Sequence, residues 1–374
     1  MNQSKHITII GGGLAGLSLG IGLRQRGVPV KIYEAGKYPR HRVCGEFISG
    51  RGQRSLERLG LRDQLIQTGT RVAQTAAFFS GKTSFKKDLP EPALCVSRFI
   101  LDNLLAEEFC KLGGELKSGS RWVEKFDEGM VRATGRRIQN VVKGWRLFGL
   151  KIHAKNLPLE ADLEMHFTQN GYVGLCRLER GSVSRSSVEV ESCSAHKNAA
   201  AHRAALRSSV DNSEVNICGL FRSRTTLRDL SSHWLKNEIS ASVGTRLAQA
   251  EFDENSFCSV AGLSLAPQKA SEQNECSIGD SLTMIPPVTG NGMSMAFESA
   301  ELAIEPLAQY SAGKISWTEA HKLVASSCDQ IFTQRLVWSK YLQTALFQPF
   351  LRQAVLLLTP RLPGLWSAFF SHTR

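Results

Sequence analysis

Apolar and polar positions follow two different rhythms along this chain, and the change from one to the other marks its first element boundaries. Ile7 to Ile10 is a short β-branched run ending on glycines, and Leu14 to Arg26 then repeats apolar residues at helical spacing until Gly27. Val28 to Tyr33 returns to a strand-like run. The stretch ITIIGGGLAGLSLGIGLRQRGVPVKIYEA therefore predicts a strand, a tight glycine turn, a helix closed by glycine and a second, parallel strand. Farther along, alternation of apolar and polar residues predicts half-buried antiparallel strands at Val72 to Phe79, Gly149 to Ala154, Asp162 to Thr168, Tyr172 to Arg177 and Val215 to Phe221. Asn170-Gly171 between two of them is the strongest hairpin signal in the chain.

Near the other end, Ser277-Ile278 closes a short strand with Gly279-Asp280 at its tip. A Pro-Pro turn follows, and Gly290-Asn291-Gly292 opens a helix expected to run from Met293 to about Glu305. From Ser316 to Arg374 the pattern is mostly helical, broken at Pro360 and Pro363.

Two of these stretches carry chemistry. In Gly11-x-Gly13-x-x-Gly16, Gly11 makes the tight turn, Gly13 lets a pyrophosphate approach the backbone, and Gly16 allows helix and strand to pack closely. The amides at the helix start, around Leu14 and Ala15, and the positive end of the helix dipole suit phosphate. Glu34, at the end of the second strand, stands where a carboxylate takes the adenosine ribose hydroxyls, which favours FAD or NAD over NADP. In CSIGDSLTMIPPVTGNGMSMAFESAELA, Asp280 at a strand tip suits ribityl hydroxyls. The glycine-rich helix start after it suits the negative edge of a reduced flavin. Taken alone, that second stretch also reads as an ordinary loop before a helix.

Together these pieces resemble the FAD-dependent oxidoreductases with the p-hydroxybenzoate-hydroxylase-like fold, which include aromatic monooxygenases, geranylgeranyl-reductase-like enzymes and flavin-dependent halogenases. GGGLAG with Glu34, SRFILDNLL (Ser97 to Leu105) and GDSLTMIPPVTGNGM occur in the family's order. The resemblance implies that Arg98 lies beside the cofactor, that Asp280 serves its ribityl and pyrophosphate region, and that Pro287 through Met293, with Gly290, Asn291 and Gly292, forms the loop under the flavin ring. YPRHRVCGEFISGRGQRSLERLGL (Tyr38 to Leu61) is similar to the Cys-Gly-Glu variant of the geranylgeranyl-reductase-like subgroup. By that likeness Arg40 and Arg42 offer charge to phosphate, and Cys44, Gly45 and Glu46 border the substrate cavity; Cys44 and Glu46 are candidates for its wall, Cys44 also reads as a buried small residue, and no catalytic residue is assigned. Two departures stand out: Thr134 occupies the place of the family's fingerprint Asp, and a polar Ser/Ala/Arg/His-rich insertion covers 185–212, with a short helix expected over His196 to Ser208.

The implied fold is α/β (α+β): a Rossmann-like FAD-binding domain with a βαβ start, a mixed or antiparallel substrate sheet and a C-terminal helical region. Its FAD-binding parts are 1–70, 95–145 and 275–312, its substrate domain 71–94 and 146–274, and its helical region 313–374. The implied activity is FAD-dependent oxidoreduction, with hydroxylation of a small aromatic or polyketide-like substrate favoured. Reduction of prenyl or polyketide double bonds and a non-catalytic FAD-binding homologue are the alternatives. With one dinucleotide motif in the chain, NAD(P)H would act as a transient electron donor. The Trp-x-Trp-x-Ile-Pro element of halogenases is missing from KGWRLFGL around Trp145.

Composition changes this picture little. An apolar share of 42% with 21% charged residues is that of a folded, soluble chain. The net charge of +12 favours anionic partners, such as carrier-bound acyl groups or acidic lipid, yet no zinc-finger, homeodomain or RNP-type signature points to nucleic acid. Nine scattered cysteines and nine histidines without pairing suggest neither a metal centre nor a committed base. Without a run long enough to span a bilayer or a leader-like start, the expected location is cytoplasmic. The greasy stretch Phe347 to Phe370 is expected to pack against the flavin domain; the sharper alternative is that, with Arg352, Arg361 and Arg374, it forms a flap over a lipophilic substrate or a contact with a membrane surface.

Overall fold

The computed structural model describes residues 4–136, 144–178, 214–224 and 230–374. The predicted opening forms as β1 (Ile7–Ile10), α1 (Leu14–Arg24) and β2 (Val30–Tyr33). Next come β3 (Phe47–Ile48), α2 (Arg51–Arg58), α3 (Arg62–Gln67), β4 (Arg71–Ser80), β5 (Thr83–Cys95), α4 (Arg98–Lys111), β6 (Glu115–Lys117) and β7 (Met130–Arg132). The middle of the chain supplies β8 (Arg146–Lys155), β9 (Leu163–Phe167), β10 (Gly171–Arg177), β11 (Val215–Ser223), α5 (Ser232–Val243) and β12 (Glu251–Leu263). Last are β13 (Cys276–Ser277), α6 (Gly292–Ser311), α7 (Trp317–Phe347), α8 (Pro349–Leu358) and α9 (Pro363–His372).

Two sheets organise these elements. The first is parallel, in the order β13-β7-β1-β2-β6, so strands from both ends of the chain lie side by side. Its apolar run is fully enclosed: Ile7, Ile9 and Ile32 are completely buried between α1 and the helices of the opposite face. The second sheet has the order β12-β8-β11-β10-β9-β4-β5-β3 and is antiparallel except for the β4–β9 pair. The Asn170-Gly171 turn joins β9 to β10 as expected, with Phe167 opposite Tyr172. β3, which belongs by sequence to the first unit, instead pairs with the end of β5 in the second sheet, tying the 44–47 loop to both.

One boundary differs from expectation. α6 runs to Ser311, through Pro306, where the sequence suggested a stop near Glu305. A proline inside a helix loses one backbone bond. Here α6 is packed along α1 and α7 with Phe297, Ala300, Ala303 and Leu307 fully buried, and that burial outweighs the loss. The 185–212 insertion and its predicted helix lie outside the described residues.

Candidate active site

The glycine turn is built as its spacing suggested. Gly11 has φ +113°, and a side chain there would overlap the Ala133 carbonyl; a Cβ on Gly16 would overlap the Gly11 carbonyl oxygen. Gly13 differs in kind. A Cβ at this position meets no atom within 4 Å, so the turn faces open space. α1 begins there with no side-chain cap and no acidic residue in its first turn. The amides of Leu14 and Ala15 and the positive helix end are therefore uncompensated, which is the condition that an anionic phosphate satisfies.

Glu34 is buried at the tip of β2. Its Oε2 accepts from the Gly12 amide at 2.7 Å, and its Oε1 from the Gly36 amide at 2.8 Å and from Arg40 at 2.7 Å. Burial alone would raise its pKa, but Arg40, the Gly36 amide and Arg42 outweigh that and hold the carboxylate ionised. Arg42 is half exposed, with Glu34 3.8 Å away, and is the cation of this loop available to phosphate.

The second half of the cleft comes from the far end of the chain. Gly279, at φ +61°, presses on α1, and Asp280 beside it lies 3.4 Å from Arg136. Arg136 in turn donates to the Val43 carbonyl at 2.6 Å. Thr134, in the fingerprint position, stays within reach of the same turn: its hydroxyl is 3.5 Å from that of Ser281, which also accepts from the Gly135 amide at 3.0 Å. After the Pro287–Thr289 turn, Gly290 sits at φ +64° with the Phe47 ring packed where a side chain would go. Like α1, α6 begins without a side-chain cap and without an acid in its first turn, and Gly292 has open space beside it. Met293 is buried in the main core. Asn291, expected to face the cofactor, is buried and donates its Nδ2 to the Thr373 carbonyl, so it anchors the C-terminal helix.

Two open, uncapped helix starts fit FAD: Gly13, Leu14 and Ala15 would take the pyrophosphate, Glu34 the ribose, Asp280 the ribityl chain and the Gly290–Met293 start the ring edge. Arg98 is more committed than the sequence implied. It holds the fully buried Asp102 through two bonds, at 2.7 and 2.8 Å, and faces the Cys44 thiol.

Glu46 and Cys44 depart from expectation. Neither lines the apolar cavity described below, although Gly45 and Phe47 between and beyond them do. Glu46 turns away from it at φ +61°, a left-handed conformation that a non-glycine residue holds only when its surroundings impose it. Its fully buried carboxylate takes the Arg98 amide at 2.9 Å, Lys151 at 3.3 Å and His153 at 2.6 Å. Lys151 also reaches His41 Nδ1 at 3.0 Å, and His153 reaches Glu214 at 3.2 Å. Burial would raise the Glu46 pKa, but His153 and Lys151 bring it down to about 2; burial, Lys151 and His153 push His41 down to about 4.

The histidines therefore do pair, contrary to the sequence reading: His41, His153 and Glu46 offer ligand atoms within 4.8 Å of one another. The Lys151 ammonium lies among them and supplies the positive charge that a metal ion would bring. The one trace in the sequence is Lys151 and His153 at alternate positions of an otherwise apolar strand, which puts both on the same face of β8.

Between the second sheet and the C-terminal helices lies a cavity of about 140 Å³. Its floor is Ala76, Phe78, Met165 and Gly174 of β4, β9 and β10, and its roof is Val355, Leu356, Trp366 and Phe370 of α8 and α9. Val288 and Thr289, in the turn that leads into α6, close one end with Gly45 and Phe47. Arg374 is the cation on its wall. It bonds Ser49 Oγ at 2.9 Å and covers the Phe370 ring at 3.5 Å, and burial lowers its pKa to about 9.

Residues 5–141 match the family model of an FAD binding domain, and residues 196–350 match that of squalene epoxidase. Monooxygenase 1 of Arabidopsis thaliana is 30% identical over 120 residues, 31% of this chain and 30% of its own length. A 3-amino-4-hydroxybenzoate 2-monooxygenase of Streptomyces cremeus is 43% identical over 74 residues, 19% of this chain and 18% of its own. The chain thus spans about a third or less of the curated relatives it matches. The crystal structure of P. aeruginosa PqsL in complex with 2-aminobenzoylacetate superposes with a TM-score of 0.66 at 15% identity, covering 93% of this chain and 98% of that one. That likeness is one of fold.

Proposed function

We propose that this chain is an FAD-dependent monooxygenase that hydroxylates a small, lipophilic aromatic or polyketide-like substrate in the cytoplasm, in part at a membrane surface, with NAD(P)H as a transient electron donor. The observation that carries this reading is the apolar cavity, which ends on the turn opening α6. Its volume of about 140 Å³ is of the size that accepts a single benzene ring when lined by apolar side chains.

Bound FAD supplies the electron transfer and the activation of dioxygen, so no side-chain nucleophile is required. The chain's own residues bind, orient and exclude water. The uncapped starts of α1 and α6 would offer positive potential to the pyrophosphate and to the ring edge of bound FAD. Phe47, Val288 and the α8–α9 roof line the cavity with apolar side chains, which would exclude water from a substrate held there and strengthen electrostatic interactions inside it. The buried Glu46 cluster fixes the Cys44–Phe47 loop between the two sheets. PqsL, bound to 2-aminobenzoylacetate, and the aminohydroxybenzoate relatives support a substrate of the aromatic class.

The test is turnover of the purified yellow protein with NAD(P)H, isotopically labelled dioxygen and a panel of hydroxylated and amino-substituted aromatics. One labelled oxygen atom in the product and one in water, per NAD(P)H consumed, is the expected result. Saturation of a substrate double bond without dioxygen would replace hydroxylation by reduction, and yellow protein without turnover across the panel would favour a binding role.

A further inference from the structure

α8 carries an unusual face. Phe350, Leu351, Leu357 and Leu358 are exposed, Phe350 to 83%, and with the half-buried Ala354 they fall at i, i+1, i+4, i+7 and i+8. On a helical wheel these positions fill an arc of about 120°. The opposite arc is also apolar and already occupied: Val355, Leu356 and Thr359 line the cavity, and Arg352 donates to the Thr168 carbonyl at 3.0 Å. A surface helix of a globular protein shows its polar face to water. α8 shows apolar faces to both sides, and Leu362 and Tyr341, 51% and 70% exposed, extend the apolar exposure in the flanking segments.

The charge pattern names the occupant of the outer face. From residue 331 to 374 the chain contains no Asp or Glu, against five Lys and Arg. Of these, Arg335 is neutralised by Glu298 in the interior, while Lys340 of α7 and Arg361, just past the end of α8, are exposed. Exposed leucine and phenylalanine together with uncompensated cations complement the surface of an anionic bilayer, where the apolar arc enters the acyl boundary and the cations meet lipid phosphate.

We propose that the outer face of α8 docks this protein on an anionic membrane surface, with the cavity lying directly behind the docked helix. The inference rests on the reading of that cavity as the site of a lipophilic substrate. One turn of helix then separates bilayer from binding site, and the substrate class is one that partitions into lipid.

The experiment is co-sedimentation of the flavin-loaded protein with phosphatidylcholine vesicles, pure or with about a third phosphatidylglycerol. Sedimentation with the anionic vesicles is expected, weakened by salt. The double variant Phe350→Glu, Leu358→Glu should bind roughly tenfold more weakly, with flavin content and melting temperature unchanged, because both side chains point away from the protein. Lys340→Gln with Arg361→Gln should lower binding to the anionic vesicles alone. No sedimentation with either vesicle overturns the proposal. So does a concentration-dependent dimer that the Phe350→Glu, Leu358→Glu variant abolishes, since the face is then an interface between copies of this chain. Turnover of a water-soluble aromatic substrate, scored separately, keeps failure of docking distinct from failure of the activity.

Discussion

A Cβ placed on Gly279 would lie only 2.9 Å from the Ala15 methyl, so two residues 264 positions apart in sequence approach at the start of α1 too closely for a side chain on Gly279. That approach joins the amino-terminal glycine turn to the Asp280 turn. The cleft proposed for FAD depends on it, because neither half presents enough donors to hold a dinucleotide by itself. The glycines divide the work: Gly11 and Gly16 are required by the fold, whereas Gly13 faces empty space.

Gly13→Asp separates folding from cofactor binding. Gly13 is the N-cap of α1, with extended backbone at φ −88° and ψ −169°, a conformation any residue adopts. An aspartate there can accept from the amides of the first turn and stabilise the helix by roughly a few tenths of a kcal/mol. The same carboxylate repels a pyrophosphate and occupies the space it needs. The variant should melt at or above the wild-type temperature when both are stripped of flavin, and should purify colourless. A yellow variant, or one that fails to fold, contradicts this assignment of the turn.

Much of the first sheet was legible because local signals agreed with one another. The β-branched run, the glycines and the helical period of Leu14 to Arg26 each pointed to the same strand-turn-helix, whose helix ends at Arg24. The hairpin at Asn170-Gly171 was legible for the same reason. The Glu46 cluster was not. His41, Glu46, Lys151, His153 and Glu214 come together only because β8 and β11 pair and the 41–46 loop is held against them, and no spacing in the sequence encodes that. The full length of α6 was not legible either, because the helix continues through Pro306 to Ser311 on the strength of tertiary burial, which local sequence does not report. Asn291 and Arg374 were tied together by the packing of α9, which periodicity does not report.

Gly174 gives a steric test of the cavity. It lies on its floor in β10, and its nearest neighbours to an added Cβ are carbonyl oxygens at 3.6 and 3.9 Å, ordinary contact distances. Gly174→Leu should therefore be tolerated by the sheet while filling much of the space above it. Flavin content and reduction by NAD(P)H in the absence of substrate should be unchanged, and KM for a hydroxylated aromatic should rise at least tenfold. Unchanged KM would place the substrate elsewhere.

Glu46→Gln removes the only carboxylate in contact with the fully buried Lys151 among the described residues, leaving two buried cationic groups facing a neutral amide. Breaking a buried ion pair from one side costs roughly 3 kcal/mol or more. Lys151→Met should also destabilise. The double variant should lose clearly less than the sum of the two, because it removes the unpaired charge as well as the pair. Urea denaturation of the four proteins measures the coupling, and strict additivity would show that Glu46 and Lys151 do not interact.

The last prediction concerns acid. His41 is stacked on Phe99 of α4 and faces Lys151 and His153 of β8, with Glu46 and Glu214 as the opposing charges. Burial and the two cations lower its pKa from 6.5 to about 4. Below pH 6.5 the unfolded chain therefore takes up a proton that the folded protein refuses, and stability falls with pH until about 4. His6 and His321, also lowered by burial, push the same way. His153 is raised, so its contribution is complete below 6.5 and is lost only on the alkaline side as pH rises through its folded pKa. Glu46 is lowered from 4.5 to about 2, so its contribution is lost only below pH 4.5. Between pH 6.5 and 4.5, then, His41→Gln should lose less stability than the wild type, by the proton uptake that belongs to this residue alone. Urea midpoints across that window decide the matter: parallel slopes for the two proteins would mean that His41 titrates normally and is not held between Lys151 and His153 in solution.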